Sequence, residues 1–258
     1  MENKFRTENF VTSRIRTADG IDIAYDHYQR GHEKLIIIAH GFFNSKQAVL
    51  LKQLAADLSG AYDVAALDFR GHGKSSGLFC WTAKEYLDLK ALLDHLRPKY
   101  KKVGVIGFSL GAAIAMITAS RYADIDSIIA VSPPAAFWKI ENCLWQLDFK
   151  TDILYHYFDQ GIIGQGCRPG PLWLKKDRPI DLVPHLKIPI CYIHGEKDWL
   201  IKPWHSKALY EKTTAVKKLA IIKNGPHAEY LILRNHDEFL GLARNWFNET
   251  LVYWPSPY

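Results

Sequence analysis

Continuous apolar runs alternate with segments of helical periodicity along most of the chain. KLIIIAH (34–40) is unbroken by polar residues until its end, which is typical of a strand buried on both faces. Apolar positions at helical spacing follow over 45–58, and YDVAALDF (62–69) is the next predicted strand. The order repeats with KVGVIGF (102–108) and GAAIAMITASRYA (111–123). This alternation predicts an α/β fold, a mostly parallel sheet with helices on both faces.

Two other local signals stand before and between these elements. Residues 10–17 and 21–25 alternate apolar and polar positions around a central Asp-Gly pair, which predicts a β-hairpin. Thr82 and Glu85 have the spacing of a capping box, in which each side chain bonds the other's backbone N–H. We therefore predict that a helix opens there and continues to about Leu96.

The alternation breaks after Pro134 and resumes about 50 residues later within the same pattern. The later elements are the strand PICYIHG (189–195), a helix around 203–213, the strand KLAIIK (218–223) and a final helix from about 236 to 250. We therefore predict one core domain made of residues 1–134 and 186–258. Residues 135–185 are an insertion late in the sheet.

GFSLG (107–111) places a serine where a predicted strand ends and a predicted helix begins. This is the context of a G-x-S-x-G nucleophile elbow, whose tight turn lifts the serine hydroxyl above the sheet. Glycines are expected on both sides because side chains at those positions would collide. The N–H of Leu110 would point into the same space, at the positive end of the helix. Ser109 is thus the predicted nucleophile, and the Leu110 N–H is one predicted oxyanion donor.

A serine hydroxyl is a weak nucleophile and needs a base that is itself oriented by an acid. After such an elbow the acid and then the histidine follow in chain order. Asp198 and His227 each come just after a predicted strand, at the sheet edge where parallel sheets bind ligands. Glu196 is the close rival for the acid. His205 and His236 fall in predicted helices, and surface roles are expected for both.

The second oxyanion donor is expected in the loop after the strand KLIIIA. HGFF (40–43) occupies that loop, and the backbone N–H of Phe42 is the candidate donor. His40 is expected to shape the loop and to take no part in the chemistry.

Five blocks in chain order resemble the α/β-hydrolase superfamily of serine esterases and related peptidases: HGFFNS, DFRGHGKSSG, GFSLGA, HGEKDWLIKP and NGPHAE. The resemblance covers essentially the whole chain. Within the superfamily, the chain looks most similar to bacterial carboxylesterases, including feruloyl and cinnamoyl esterases and S33 serine aminopeptidase-like proteins. It implies an α/β-hydrolase fold in which residues 135–185 form a cap over the active site. Serine at position 109 argues against haloalkane dehalogenases and epoxide hydrolases, which use aspartate, and against dienelactone hydrolases, which use cysteine. Ala112 replaces a glycine of many relatives, a change expected to affect helix packing only.

These residues together predict a serine hydrolase that cleaves carboxylic esters with an apolar acyl or aryl group through an acyl-enzyme. The mechanism implies no cofactor and no metal. The same triad would serve a peptidase or a thioesterase, and a fold kept as a non-catalytic binding module is a further alternative. Some of the aromatic residues in FWKIENCLWQLDFKTDILYHYF (137–158) are expected to line an apolar pocket.

Composition adds expectations about partners and location. The net charge is +6, but the lysines are spread out and no nucleic-acid motif accompanies them, so a small-molecule ester and no nucleic acid is the expected partner. The four cysteines fit no zinc or disulfide pattern. The first ten residues lack the apolar run of a signal peptide, and no apolar run reaches the roughly 18 residues of a membrane span. A cytoplasmic protein is expected, and the sequence indicates no oligomeric state.

Overall fold

A computed structural model describes residues 10–140 and 167–252 of the chain. The described part contains an eight-stranded sheet with the strand order β1-β2-β4-β3-β5-β6-β7-β8. The strands are β1 (Val11–Arg16), β2 (Asp22–Tyr28), β3 (Lys34–Ala39), β4 (Asp63–Leu67), β5 (Lys102–Phe108), β6 (Ser127–Val131), β7 (Ile190–Gly195) and β8 (Lys217–Ile222). The neighbours from β4 through β8 pair in parallel, whereas β2 pairs antiparallel with both β1 and β4. The mostly parallel sheet and its N-terminal hairpin are confirmed.

Helices cover both faces of the sheet. They are α1 (Val49–Leu58), α2 (Tyr86–Leu96), α3 (Leu110–Arg121), α4 (Pro179–Leu182), α5 (Trp204–Lys212), α6 (Tyr230–Arg234) and α7 (His236–Thr250). Side chains of α2, α3, α4 and α5 pack in one buried cluster, and side chains of α1, α6 and α7 pack in another. Strand β3 contributes Ile37 to the first cluster and Ile36 and Ile38 to the second. The apolar run is continuous because successive residues of the strand point to opposite buried faces.

The predicted insertion joins two neighbouring strands. Strand β6 ends at Val131 and pairs with β7, which begins at Ile190, so the chain leaves the sheet and re-enters it in adjacent strands. Residues 141–166, which make up much of the insertion, lie outside the described residues. The division into a core and a cap therefore stays a prediction.

The predicted capping box at Thr82 and Glu85 is wrong. Thr82 has a φ of 75°, and α2 begins only at Tyr86, with no side-chain hydrogen bond at its N-terminus. The buried Glu85 carboxylate instead accepts hydrogen bonds from the N–H groups of Cys80 and Lys84. The glutamate thus closes the turn that precedes the helix.

A fully buried ion pair anchors the loop between β3 and α1. Lys46 Nζ lies 2.8 Å from Asp26 Oδ1, and both side chains are 0% exposed. The carboxylate also accepts hydrogen bonds from Thr12 Oγ1 at 2.6 Å and Gln47 Nε2 at 2.8 Å. The Lys46 N–H donates to Asp68 Oδ1 at 2.7 Å. These contacts hold residues predicted to begin a helix at 45 in a loop, and α1 starts four residues later.

Replacing Lys46 with methionine is expected to lower the free energy of unfolding by about 3–5 kcal/mol, because the Asp26 charge would stay buried without a cation. Urea denaturation followed by circular dichroism measures this change. Lys101→Met is the matched control, since the Lys101–Glu33 pair is more than half exposed and should contribute much less. Equal losses in the two variants would contradict the assignment of Lys46 as an anchor.

Candidate active site

Ser109 occupies a strained turn between β5 and α3. Its φ of 52° and ψ of −117° lie in a region that L-residues rarely adopt. The Ser109 N–H donates to the Val131 carbonyl at the end of β6 at 2.8 Å, which ties the turn to the neighbouring strand. The side chain is 6% exposed. Strain of this kind persists where the surrounding structure over-determines the backbone, and it is frequent at active sites.

The two glycines around Ser109 are needed, although for contacts other than the predicted collision between them. A Cβ at Gly107 would lie 2.5 Å from the Cα of Ala112, in the first turn of α3. A Cβ at Gly111 would lie 2.2 Å from the carbonyl oxygen of Ala39 in β3. The glycines therefore allow α3 to pack closely against β5, which precedes it in the chain, and against the neighbouring strand β3.

Asp198 and His227 are hydrogen bonded to each other beyond the ends of β7 and β8. The Nδ1–H of His227 donates to Asp198 Oδ2 at 2.7 Å, and both side chains are buried. The rival acid, Glu196, is exposed and accepts a hydrogen bond from the Asn224 N–H at 2.9 Å. The geometry brings Asp198 to the histidine and directs Glu196 elsewhere.

Asp198 is held by more partners than His227 alone. Its Oδ1 accepts hydrogen bonds from the N–H groups of Leu200 and Ile201 at 3.0 and 2.9 Å. His194 Nε2 lies 3.2 Å from Oδ2, a contact that the sequence reading missed although the ring stands only four residues before the acid. Burial alone would raise the pKa of Asp198, but the His227 and His194 rings hold it well below its usual range. The carboxylate is therefore ionised when it orients His227.

The electrostatic surroundings of His227 favour its charged form. Burial by itself lowers the pKa of the ring, but the Asp198 carboxylate and, more weakly, Glu229 raise it above the ordinary value. An imidazolium formed by accepting a proton would therefore be stabilised in place.

Ser132 connects the serine turn to the histidine loop. It follows Val131, whose carbonyl accepts the hydrogen bond from the Ser109 N–H, and it has a φ of 48°. Its buried hydroxyl oxygen accepts a hydrogen bond at 3.1 Å from the N–H of Ala228, the residue after His227. Ser109 and His227 are thus tied to consecutive residues at the end of β6. No pattern in the sequence marked Ser132.

The loop after β3 passes directly beside the serine. A Cβ on Gly41 would lie 3.2 Å from the Cβ of Ser109, so the neighbouring Phe42 is close to the turn. Leu110 is the first residue of α3, where an α-helix leaves its N–H groups without an intrahelical acceptor. The residues predicted to supply the two oxyanion donors therefore adjoin Ser109, one in the loop after β3 and one at the start of α3, and their role stays a prediction.

His40 shapes this loop through its ring. Its Nδ1–H donates to the Gly41 carbonyl at 2.7 Å, and its Nε2 accepts from the Phe69 N–H at 3.0 Å. Burial lowers the pKa of the ring to about 4, so the imidazole is neutral at pH 7. Both nitrogens are used for structure, which agrees with the expectation that His40 takes no part in the chemistry.

An aromatic wall stands beside the loop and consists of Phe42, Phe79, Trp81 and Phe137. The Phe42 ring centroid is 5.3 Å from that of Phe79 and 5.1 Å from that of Trp81. Trp81 lies 6.0 Å from Phe137. Leu110 belongs to the same apolar cluster, which places the wall next to Ser109.

This wall draws on residues that sequence reasoning did not select. Phe79 and Trp81 follow the glycine-rich turn of DFRGHGKSSG, outside the segment expected to supply the pocket. Of that segment, Phe137 joins the wall and Trp138 is 67% exposed. The remaining aromatics of the expected pocket lie outside the described residues: Trp145, Phe149, Tyr155, Tyr157 and Phe158.

The expected surface role of His205 is wrong. The ring is fully buried, and its Nδ1 accepts a hydrogen bond from the Ala135 N–H at 3.0 Å. His236 opens α7 as expected, is about one-third exposed and lies 2.8 Å from an Asp57 oxygen. His205 thus fixes the chain where the insertion begins.

Clustered metal ligands and membrane-spanning helices are both absent from residues 10–140 and 167–252. No group of three or more His, Cys, Asp or Glu side chains there is arranged to hold a metal ion. No helix in those ranges has both the length and the apolar character needed to cross a bilayer.

Comparison with known proteins identifies the fold. A family model described as the alpha/beta hydrolase fold matches residues 34–149. The serine hydrolase BPHL of Homo sapiens is 24% identical over 263 residues, covering 92% of this chain and 86% of that protein. The hydrolase YugF of Bacillus subtilis is 28% identical over 126 residues, so the match spans 48% of this chain and 45% of YugF.

Solved structures agree over nearly the whole chain. The Pyrococcus furiosus esterase Pf2001 superposes with a TM-score of 0.80 at 24% identity, covering 98% of this chain and 97% of the esterase. The esterase RhEst1 from Rhodococcus sp. superposes with a TM-score of 0.77 at 16% identity, covering 93% and 99%. With its mostly parallel eight-stranded sheet and its helices on both faces, the chain has the α/β-hydrolase fold.

Proposed function

We propose that the chain is a serine hydrolase that cleaves carboxylic esters with an apolar acyl or aryl group through an acyl-enzyme. The observation that carries this proposal is the Asp198–His227 hydrogen bond at the sheet edge that also presents the strained Ser109 turn. A nucleophile, a base and an orienting acid in this arrangement are the parts that acyl transfer requires. The printed names of BPHL as a serine hydrolase and of Pf2001 as an esterase support the same reading.

The proposed reaction begins when Ser109 Oγ attacks the ester carbonyl carbon and His227 Nε2 takes the serine proton. Asp198 keeps the other ring nitrogen protonated and stabilises the imidazolium. The tetrahedral intermediate collapses, and the alcohol leaves with the proton from His227. Water then attacks the acyl-enzyme by the same route in reverse, which releases the carboxylate and restores Ser109.

The backbone N–H groups of Phe42 and Leu110 are the proposed oxyanion hole. Gly41 lies against the Ser109 side chain, and Leu110 follows Ser109 and begins α3, which supports this assignment. Donors fixed in advance at the place where negative charge develops stabilise the transition state more than the substrate.

The aromatic wall supports an apolar acyl or aryl group as the substrate. Residues 135–185 are the proposed cap, and this segment is hydrogen bonded to the wall at Gly170. Gly170 donates its N–H to the Phe79 carbonyl at 2.8 Å, and its own carbonyl accepts a hydrogen bond from Trp81 Nε1 at 3.0 Å. Pockets lined in this way bind the apolar part of a ligand and exclude water.

Ser109→Ala should lower ester kcat by on the order of 10⁴–10⁶, with folding intact, because the nucleophile is lost. Hydrolysis of a p-nitrophenyl ester measures the rate, and a fluorophosphonate probe should label the wild type stoichiometrically and the variant not at all. Circular dichroism controls for folding. Labelling that persists at another serine would overturn the assignment.

Asp198→Asn should fold but lose roughly 10⁴ in kcat, because the imidazole would favour the wrong tautomer. Glu196→Gln is the matched control, since that carboxylate is exposed and turned toward Asn224, and it should keep near wild-type activity. A crippled Glu196→Gln beside an active Asp198→Asn would identify the other carboxylate as the acid.

The pH dependence of kcat/KM provides an independent measurement on the same pair. Only neutral His227 accepts the serine proton, so activity should fall as the pH drops through the raised pKa of this ring. The acid limb should therefore be centred above the ordinary histidine value of about 6.5. In Asp198→Asn the limb should move to lower pH, and a limb that does not move would separate Asp198 from the histidine it is proposed to orient.

For p-nitrophenyl esters, kcat/KM should rise severalfold from acetyl to a medium-chain or aryl acyl group and then fall. Each buried methylene contributes about 0.8 kcal/mol, or nearly fourfold, where the transition state feels it fully. Trp81→Ala should flatten this preference, whereas Trp173→Ala, at a side chain 86% exposed, should leave it unchanged. A wild-type profile that peaks at acetyl would mean that the aromatic wall only packs the fold.

A further inference from the structure

A buried hydrogen bond joins the loop after β3 to the loop that carries His227. The Asn44 side-chain Nδ2 donates to Glu229 Oε1 at 2.5 Å across 185 residues of sequence. The Asn44 Oδ1 accepts the Ser45 N–H at 2.8 Å, so both ends of the amide are used. Asn44 is 3% exposed and Glu229 is 8% exposed, which leaves little water to compete for the bond.

Asn44 and Glu229 each follow a proposed catalytic group by two residues in the sequence. Asn44 comes two residues after Phe42, whose N–H is a proposed oxyanion donor, and Glu229 comes two residues after His227. Ala228, between the histidine and the glutamate, is held from the other side by Ser132. The histidine loop is thus fixed at two consecutive residues, once to the end of β6 and once to the oxyanion loop.

Glu229 also carries a carboxylate two residues from His227, and its charge contributes to raising the pKa of that ring. Among the ion pairs of the described residues none involves Glu229, and its hydrogen-bond partner Asn44 is neutral. A buried carboxylate without a cation is costly, and the cost falls when a positive charge forms nearby. His227 is the cation that the proposed reaction would create there.

We propose that Glu229 is a positioning residue for His227 and that its bond to Asn44 sets the oxyanion loop at a fixed distance from the base. This inference rests on the proposed function, because the base and the oxyanion donors are assigned there. The charges of two carboxylates would then act on the ring, Asp198 through its hydrogen bond to Nδ1 and Glu229 from two residues further along the same loop. His194 contacts Asp198 and not the His227 ring in the described structure.

Asn44 and Glu229 can be separated by substitution. Glu229→Gln keeps an oxygen that accepts the Asn44 hydrogen bond but removes the charge. Asn44→Ala removes the hydrogen bond and leaves the carboxylate in the loop. Glu33→Gln is the matched control, because Glu33 is exposed and pairs with Lys101. It lies just before β3, at the N-terminal end of that strand and away from the proposed site.

The decisive measurement is an NMR titration of the full chain labelled with [¹³C]histidine, with the His227 signal assigned from its loss in His227→Gln. The pKa of His227 should lie above the ordinary value in the wild type and in Glu33→Gln, and it should fall in Glu229→Gln. An unchanged His227 pKa in Glu229→Gln overturns the charge part of the proposal. The titration needs no turnover, so it decides this point even if Ser109→Ala keeps its activity and the proposed function fails.

Kinetics test the positional part. Asn44→Ala should lower kcat by on the order of 10- to 100-fold, since a 1 Å misplacement of catalytic groups has effects of that size. KM should change by less than about twofold, because the oxyanion forms only in the transition state. Wild-type kcat in a folded Asn44→Ala overturns this part.

Glu229→Asp covers the case in which Glu229→Gln does not fold. Its charge remains, but the shorter side chain draws away from Asn44. The His227 pKa should therefore stay raised while kcat falls as in Asn44→Ala. A lowered His227 pKa with full kcat in this variant would contradict both parts of the proposal.

Discussion

The left-handed backbone of Ser109 is the constraint around which the centre of the sheet is arranged. The turn is possible only because α3 approaches the carbonyl groups of β3 at Gly111, where any side chain would collide with Ala39. That approach brings the loop after β3 beside the serine. The hydrogen bond from the Ser109 N–H to Val131 fixes the end of β6 to the same point. Three strand ends thus converge on one residue, and the site is assembled from the loops that leave them.

The polar groups near this point are each held by several partners, some in their own loop and some in neighbouring elements. His40 uses both ring nitrogens to fold the loop after β3, and Lys46 anchors the same loop through its ion pair with Asp26. Asp198 accepts three hydrogen bonds on its two oxygens, so its direction is fixed before any substrate arrives. Groups held in advance reorganise little when charge develops, which is the condition for electrostatic catalysis.

The fold was predictable where local signals act alone. The two-sided burial of β3 and the glycines around Ser109 each leave a pattern within a few residues of sequence. The final helix does so too, and its observed bounds, His236–Thr250, match the predicted ones. The capping box failed because the Glu85 carboxylate found other donors in its own turn. His205 was misjudged because its partner Ala135 lies 70 residues away. Contacts between distant loops produce no pattern in the local sequence. The choice of substrate depends on such contacts more than on the fold, so the sequence predicts it less well.

The strand that precedes His227 lies at the edge of the sheet, whereas the strand that precedes Ser109 lies inside it. Strand β5 lies inside the sheet between β3 and β6, whereas β8 is at its edge, pairs with β7 alone in the described chain and is only half buried. Peripheral elements open locally at a lower free energy than central ones. Gentle heat or low denaturant should therefore release the loop that carries His227 while the Ser109 turn stays folded. Loss of activity would precede global unfolding and would reverse on cooling. The fraction of folded protein measured by spectroscopy would therefore be larger than the fraction with an intact site.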